Sequence, residues 1–454
     1  MVDRTPDPSS AERLEAELAA RIAARTARIG VVGLGYVGLP LAKAICDRGF
    51  AVVGLDIDGE KIRLLERGQS YIQHLGPDVA AGLARSGRFL PTADFDHLAT
   101  VDAVLICVPT PLGRRREPDL SFVERTAEAV ARQLRPGQLV VLESTTYPGT
   151  TTGIVRPILE AGGLRSGRDF FLAYSPERED PGNAEYATAS IPKVVGGDGP
   201  AALRLASALY RSVVVDVVAV ASTETAEAVK LTENIFRAVN IALVNELKLV
   251  YDAMGIDVWD VIEAAKTKPF GFMPFYPGPG LGGHCVPIDP FYLTWKAREF
   301  DVATRFIELA GEVNSAMPRY VVERLATALD ARTARGLNGA AILVVGLAYK
   351  RNVDDLRESP ALRLIELIEG RGARVDFHDP LIPVVPRTRE HAALEGRCSV
   401  PLAPEAVAAF DAVLIATDHD EVDYAALAAR ARLVVDTRNA LGRRGIGGAN
   451  VVKA

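Results

Sequence analysis

One cysteine in this chain stands where a thiol can do chemistry. It closes a loop rich in glycine and proline, Phe275-Tyr-Pro-Gly-Pro-Gly-Leu-Gly-Gly-His-Cys285, and an aspartate follows four residues later at Asp289. Glycines let backbone amides come close to a bound group. A thiolate presented there can attack a carbonyl carbon. The competing reading of any free cysteine is a small buried apolar side chain. Cys46 and Cys107, inside a helical and a strand-like segment, fit that reading, and Cys398 has no motif around it.

Two further patterns carry chemistry. Gly33-Leu-Gly35-Tyr36-Val37-Gly38 has the G-x-G-x-x-G spacing between an apolar strand and a helix, the context in which glycines admit a tight turn and a close approach to pyrophosphate at a helix start. Eighteen residues beyond Gly38, at the end of the next strand, lies Asp56. A carboxylate there accepts from ribose hydroxyls and repels a 2′-phosphate, which favours NAD over NADP. Asp58 is a second carboxylate close by. Lys230, Asn234 and Arg237 share one helix face by their i, i+4, i+7 spacing. An ammonium beside an amide suits an oxyanion. Most helical lysines lie on solvated faces, but Val229, Leu231, Ile235 and Phe236 around this one argue for burial. No metal is expected: the six histidines, His74, His97, His284, His378, His391 and His419, have no ligand spacing.

The elements that must position these residues alternate. Strand patterns are read at 29–34, 51–56, 103–108, 139–142, 170–174 and 193–196, mostly with helical stretches between them, which predicts a parallel sheet with helices on both faces. One long helical pattern runs from Thr223, read as its N-cap, to about Ala253, and helical signals continue at 258–266 and 307–331 without convincing strands. Strand and helix texture returns at 340–346, 361–371, 374–378, 410–416 and 433–436. The fold class expected is α/β, with two Rossmann-like doubly wound domains joined by a central α-helical domain. Residues 1–27 read as a frayed arm ending in an amphipathic helix, 28–222 as the NAD-binding domain, 223–335 as the helical domain and 336–454 as a second Rossmann-like domain. The second domain's turn, Gly346-Leu-Ala-Tyr-Lys350, is not G-x-G-x-x-G, so NAD is assigned to the first.

Bulk properties agree with a multidomain soluble protein. The chain has 454 residues, is 48% hydrophobic and 24% charged, and carries 52 − 58 = −6 net charges, which excludes a basic nucleic-acid binder. Four scattered cysteines without CxxC spacing indicate a reduced compartment. No signal peptide or apolar membrane span is read, so the expected location is the cytoplasm.

Six segments stand in the order found in the UDP-glucose/GDP-mannose dehydrogenase family, which this chain resembles from about Arg28 onward: Gly33–Gly38, Glu143-Ser-Thr145, Tyr174-Ser-Pro-Glu177-Arg178, Lys230–Asn234, Gly282-Gly-His-Cys285, and Lys350 with Arg357-Glu-Ser-Pro360. The resemblance implies oxidation of C6 of a nucleotide-linked hexose to a carboxylate, with two NAD⁺ used in turn and a cysteine thioester between. On motif match Cys285 is the nucleophile, Lys230 and Asn234 stabilise the oxyanion, Glu177 handles the hydrolytic water, Thr145 holds that water, and Asp289 orients water or Lys230 or accepts a proton. Thr110 and Thr145 join Gly33, Gly35, Tyr36, Val37, Gly38 and Asp56 as cofactor-binding candidates. Arg178, Lys230, Asn234, Arg237, Gly282, Lys350 and Arg438 are the substrate candidates, with Arg357 a further cation suited to diphosphate or to anchoring the helix at Ser359-Pro360. The segment Glu179-Asp180-Pro181-Gly182 departs from the UDP-glucose branch, which carries a second glutamate there.

His284 before the cysteine, with the tail Asp289-Pro-Phe-Tyr-Leu-Thr-Trp, resembles the branch acting on UDP-N-acetylglucosamine for surface polysaccharides. UDP-N-acetylmannosamine and UDP-glucose stay open as substrates. So does a single-oxidation dehydrogenase of the hydroxyacid or 6-phosphogluconate type, which shares the early fold. The family's habit implies a homodimer or larger homo-oligomer through the central helices.

Overall fold

The computed structural model describes residues 8–72, 75–113, 116–178, 188–283, 286–388 and 390–454. The chain divides into two compact units. One comprises Met1–Glu233 with Phe291–Val302, the other Asn234–Pro290 with Ala303–Ala454.

The first unit is built on eight strands: β1 (Arg28–Val32), β2 (Ala51–Leu55), β3 (Phe89–Thr92), β4 (Ala103–Ile106), β5 (Leu139–Leu142), β6 (Phe171–Tyr174), β7 (Lys193–Gly197) and β8 (Val217–Ala219). They lie in the order β3-β2-β1-β4-β5-β6-β7-β8. All pairings are parallel except β6 with β7, so the wholly parallel sheet expected is corrected at that one pair. β4, β5 and β6 are buried along their whole length, which explains their uninterrupted apolar sequences. The order reverses between β1 and β4, and at such a switch the carboxyl ends of the strands leave a crevice for ligands.

The second unit carries the parallel sheet β10-β9-β11-β12-β13, formed by β9 (Ala341–Val345), β10 (Arg374–His378), β11 (Ala412–Ile415), β12 (Val434–Asp436) and β13 (Val451–Lys453). The two sheets share their construction down to single hydrogen bonds. At the first residue of β1, the Arg28 N–H donates to Asp102 at 2.8 Å, and at the first residue of β9 the Ala341 N–H donates to Asp411 at 2.9 Å. After those strands, Leu34 N–H donates to Asp56 at 2.9 Å and Leu347 N–H to Asp379 at 2.6 Å. Beyond the next strand over, the Ser144 hydroxyl donates to Ile106 O and the Thr437 hydroxyl to Ile415 O. Along the chain between the sheets, the described residues from Thr223 to Ala340 form helices and loops, including Thr223–Ala253, Val258–Ala265, Asp289–Ala297 and Arg305–Thr333. Among the described residues no helix is long and apolar enough to cross a membrane.

The amphipathic helix expected at the end of the N-terminal arm is present as Pro8–Ala23 and is docked. Leu18 and Ile22 are 3% and 2% exposed in the core of the first unit, Arg21 pairs with buried Asp102 at 2.7 Å, and Glu15 takes a two-pronged contact from Arg204. Residues 1–7 lie outside the described residues. The long helix is capped by Ser222, whose hydroxyl accepts from Thr225 N–H at 3.2 Å, one position before the expected Thr223. A serine in that place satisfies a first-turn amide that has no partner in the helix.

Glu227, in the second turn of that helix, is fully buried. It accepts from Gly149 N–H at 2.6 Å and from the N–H and hydroxyl of Thr151 at 2.8 and 2.7 Å, which ties the helix to the turn after β5. Burial outweighs these donors and pushes its carboxyl from 4.5 up to about 7. The folded state therefore holds a proton that the unfolded chain has lost. Stability from this group is full below pH 4.5 and declines as pH rises to 7, by on the order of 3 kcal/mol. Denaturant unfolding at pH 5 and pH 8 will show a smaller difference in Glu227→Gln than in the parent; equal slopes would refute the assignment.

Candidate functional site

In the first unit the turn after β1 is shaped for a phosphate. Gly33 has φ +91°, and a Cβ on it would lie 2.6 Å from Cys107 O. A Cβ on Gly38, the first residue of the helix Gly38–Asp47, would fall on the Gly33 carbonyl oxygen. These two glycines are required by the fold. Gly35 differs, since a Cβ there would meet nothing within 4 Å. That open face is the cradle a pyrophosphate needs, and any side chain on it would occupy the ligand's space. Tyr36 and Val37 are half-buried against the sheet's core. Gly35→Ala should therefore fold with unchanged thermal stability and lose NAD affinity by about tenfold or more, since a methyl would fill the approach, whereas Gly38→Ala should fail to accumulate as folded protein. Melting curves and NAD titration check both; tight NAD binding by Gly35→Ala would argue against the cradle.

Asp56, 7% exposed, follows β2 with its carboxylate fixed. It accepts from Leu34 N–H, from Asp58 N–H at 3.0 Å, and from the Lys61 ammonium at 3.1 Å. Lys61 was not singled out in the sequence, although it stands one helical turn into the next element. It part-balances the Asp56 charge. Asp58 instead caps the helix Gly59–Glu66 through Glu60 and Lys61 N–H groups, and this accounts for its carboxylate without a ligand.

The carboxyl ends of β4, β5 and β6 bring the other first-unit candidates to the same end of the sheet. The Thr110 hydroxyl donates to Thr145 O at 2.8 Å, so these two are joined. Tyr292, on the helix Asp289–Ala297, donates its hydroxyl to Thr110 O, and Trp295 of that helix packs on Tyr147 with ring centres 5.0 Å apart. Glu177 accepts from Arg178 N–H at 2.7 Å and lies 3.9 Å from the buried Lys193 ammonium. The Arg178 guanidinium pairs with Glu233 at 2.7 Å and donates to Pro192 O. Lys193 in turn donates to Glu143 at 2.6 Å, and Glu143 accepts from the Tyr210 hydroxyl. Burial alone would depress the Lys193 ammonium, but Glu143 and Glu177 outweigh it and hold it above its ordinary value. Burial pushes Glu143 up against the pull of Lys193, and keeps Tyr210 a neutral donor far above its usual range. The segment 179–182 lies outside the described residues. Lys230 is 6% exposed on the long helix, which removes the solvated-face reading.

In the second unit Asn234 and Asp289 are 2% and 1% exposed and joined by a 2.6 Å hydrogen bond from the Asn234 amide to the Asp289 carboxylate. Arg237, exposed, reaches Asn234 Oδ1 at 3.4 Å. The glycine–proline loop is packed with its bare backbone against several of the candidate residues or their neighbours. A Cβ on Gly278 would strike the Arg438 guanidinium. One on Gly282 would lie 2.6 Å from Tyr349 Cβ, next to Lys350, and one on Gly283 2.8 Å from the Tyr349 ring. Gly283 N–H donates to Arg357 O at 2.9 Å. Upstream, Gly278 N–H donates to Asn245, which donates to Asn314, all buried. This clamp was not visible in the sequence. His284 and Cys285 lie outside the described residues.

Arg438 follows β12 at the place Thr145 holds after β5. It donates through Nε to Ala416 O at 2.9 Å, and burial lowers the pKa of its guanidinium. A cation desolvated this way is stabilised by an anionic ligand. Arg357 grips Asp355 in two-pronged fashion, with contacts of 2.7–3.1 Å. Asp379, the counterpart of Asp56, accepts from four backbone N–H groups and from His419 at 3.1 Å. Its carboxylate is thereby committed to the protein.

Comparison with known proteins matches three stretches of the chain to one family. Residues 27–214 match the NAD binding domain of the UDP-glucose/GDP-mannose dehydrogenase family, 224–316 its central domain and 343–443 its UDP binding domain. Over 396 residues the chain is 36% identical to a UDP-N-acetyl-D-glucosamine 6-dehydrogenase of Pseudomonas aeruginosa, covering 87% of this chain and 91% of that protein. The structure of a UDP-D-ManNAc dehydrogenase from Pyrococcus horikoshii superposes with a TM-score of 0.83 at 35% identity, covering 94% of this chain and 98% of that one. A UDP-glucose dehydrogenase from Pyrobaculum islandicum gives 0.82 at 31% identity, with coverage of 94% and 98%.

Proposed function

The chain belongs to the UDP-glucose/GDP-mannose dehydrogenase family of NAD-dependent nucleotide-sugar dehydrogenases, and from that premise we propose that it oxidises C6 of a UDP-hexose, UDP-N-acetylglucosamine foremost, from alcohol to carboxylate through a thioester on Cys285. The observation that supports this most is the open phosphate cradle at Gly35 at the same sheet end as Thr110, Thr145 and Glu177. Bound NAD⁺ supplies the hydride acceptor, so that R–CH₂OH + 2 NAD⁺ + H₂O gives R–COO⁻ + 2 NADH + 3 H⁺.

The chain's own residues do the rest. Gly33, Gly35 and Gly38 with Tyr36, Val37, Asp56, Thr110 and Thr145 hold the cofactor. Arg178, Arg237, Gly282, Lys350 and Arg438 hold the UDP-sugar, the desolvated Arg438 guanidinium facing the diphosphate. Asp289 takes the hydroxyl proton in the first oxidation. The Cys285 thiolate adds to the aldehyde carbon, and Lys230 with Asn234 stabilises the oxygen anion that forms. After the second oxidation, water held by Thr145 attacks the thioester carbonyl and gives its proton to Glu177. The carbon–sulfur bond then breaks and the thiolate leaves with the electron pair. Residues 28–222, 223–335 and 336–454 serve as cofactor, assembly and UDP-sugar domains.

UDP-N-acetylglucosamine is placed first on the His284 branch resemblance and on the Pseudomonas relative. The enzyme works in the cytoplasm toward surface polysaccharide, as a homo-oligomer. Phe236, Leu243, Val250 and Met254, 47–64% exposed in this single chain, give the long helix an apolar face for a second copy. The test is a screen of UDP-N-acetylglucosamine, UDP-N-acetylmannosamine and UDP-glucose with NAD⁺ and NADP⁺, read as NADH formed per sugar. Two NADH per UDP-N-acetylglucosamine is the expected result. A yield of one would return the single-oxidation alternative.

A further inference from the structure

A buried ammonium stands behind Glu177 and takes no part in the steps above. Lys193 opens β7, is 5% exposed, and its side chain points inward. Its Nζ donates to Glu143 at 2.6 Å and to Pro176 O at 3.3 Å, and lies 3.9 Å from Glu177 Oε2. Tyr210 completes the row, with its hydroxyl on the other Glu143 oxygen and its ring 5.2 Å from the ammonium. Every member belongs to the first unit.

Such a pair is costly to bury, and apolar side chains of the same size would commonly serve stability as well. Its position gives the reason for keeping it. One Lys193 hydrogen bond pins the Pro176 peptide, the residue before Glu177. The same charge faces one Glu177 oxygen, while Arg178 N–H holds the other at 2.7 Å. The carboxylate is thus held at one oxygen by a hydrogen bond and faces the ammonium with the other at 3.9 Å, and the turn Ser175–Arg178 is tied to β7 by Lys193 and by the Ser175 hydroxyl on Val194 O at 2.8 Å.

We infer that Lys193, backed by Glu143 and Tyr210, is a positioning residue for Glu177 and aims its carboxylate at the water that hydrolyses the Cys285 thioester. The inference rests on the thioester reading above. Lys193 touches no reacting atom. In that step the water oxygen bonds to the thioester carbon, its proton passes to Glu177, and the carbon–sulfur pair returns to the thiolate.

Lys193→Met alone strands Glu143 in the interior and endangers folding. The informative variant is Lys193→Met/Glu143→Gln, which removes both charges together, beside Lys193→Arg, which keeps the cation. With the double variant, KM for NAD⁺ and for the UDP-sugar should stay within about twofold and the first-turnover NADH burst should persist. Steady-state kcat should fall about tenfold to a hundredfold, and intact-protein mass spectra of quenched reactions should show the uronyl adduct on Cys285. Lys193→Arg should recover much of kcat and show little adduct. A double variant with kcat within about twofold of the parent, or one slowed in the burst without an adduct, overturns the inference. Parent enzyme that forms one NADH per sugar would instead overturn the thioester reading itself, so the two failures are distinguishable.

Discussion

With alanine at position 285, conversion of the UDP-sugar to its uronic acid falls by on the order of a thousandfold or more, while NAD affinity is unchanged. The reason is that the second oxidation needs a tetrahedral carbon carrying a transferable hydrogen. In the proposed mechanism the aldehyde reaches that state by adding the Cys285 sulfur, which leaves the variant only water adding unaided. The other three cysteines carry no comparable loop motif. Cys46 lies on the helix Gly38–Asp47, and burial with the neighbouring Asp47 pushes it up to about 12, so it stays a thiol. Cys107 is buried beneath the Gly33 turn, and Cys398 is exposed in the second unit. Serine at 285 should do little better than alanine, because a hydroxyl is far less ionised than a thiol at neutral pH and its ester hydrolyses more slowly. Uronic acid quantified by chromatography, with NADH followed in parallel, reads the result. Full activity in Cys285→Ala would take the cysteine out of the mechanism.

What could be read from the sequence, and what could not, follows from range. The G-x-G-x-x-G turn, Asp56 and the central strands were legible because each is fixed by neighbours along the chain or by burial on both faces. The strand read at 139–142 and the helix read from Thr223 to Ala253 agree with the observed elements. β3, β8 and β13 escaped notice. They have three or four residues, include Pro91 or lie at sheet edges, and are only part-buried. The helix Asp289–Ala297 escaped because Pro290 and three aromatic residues, Phe291, Tyr292 and Trp295, mask its pattern. The Lys193 cluster was invisible for another reason. Its hydrogen-bonding partners stand 50 and 17 residues away, and a lysine at the start of a strand reads as a solvated edge. Asn245 and Asn314 are 69 residues apart, and two asparagines on separate helices announce nothing until the helices pack. The resemblance supplied the candidate residues; the packing shows which of their neighbours hold them.

Asn234→Asp should convert the enzyme into one that works only toward acid pH. In the parent the Asn234 amide donates to Asp289 at 2.6 Å, with both side chains shielded from water. An acid in place of the amide sets two carboxylates at that separation, and both cannot be ionised. One proton is shared, and its loss moves above the ordinary carboxylate range. While the proton is present, the hydroxyl of the introduced carboxylic acid can donate to Asp289 much as the amide did. When it leaves, the pair repels and the geometry of Asp289 is lost. Arg237, 3.4 Å from the Asn234 oxygen but exposed, offsets only part of the added charge. The sign follows from the raised folded-state value: stability and activity supported by the pair persist at low pH and decline as pH rises. At pH 8 kcat should stand on the order of a hundredfold below the parent and regain about tenfold by pH 6, whereas Asn234→Leu, with no donor in either state, should be low throughout. A kcat profile for Asn234→Asp parallel to that of the parent would show that Asn234 and Asp289 do not act as a pair.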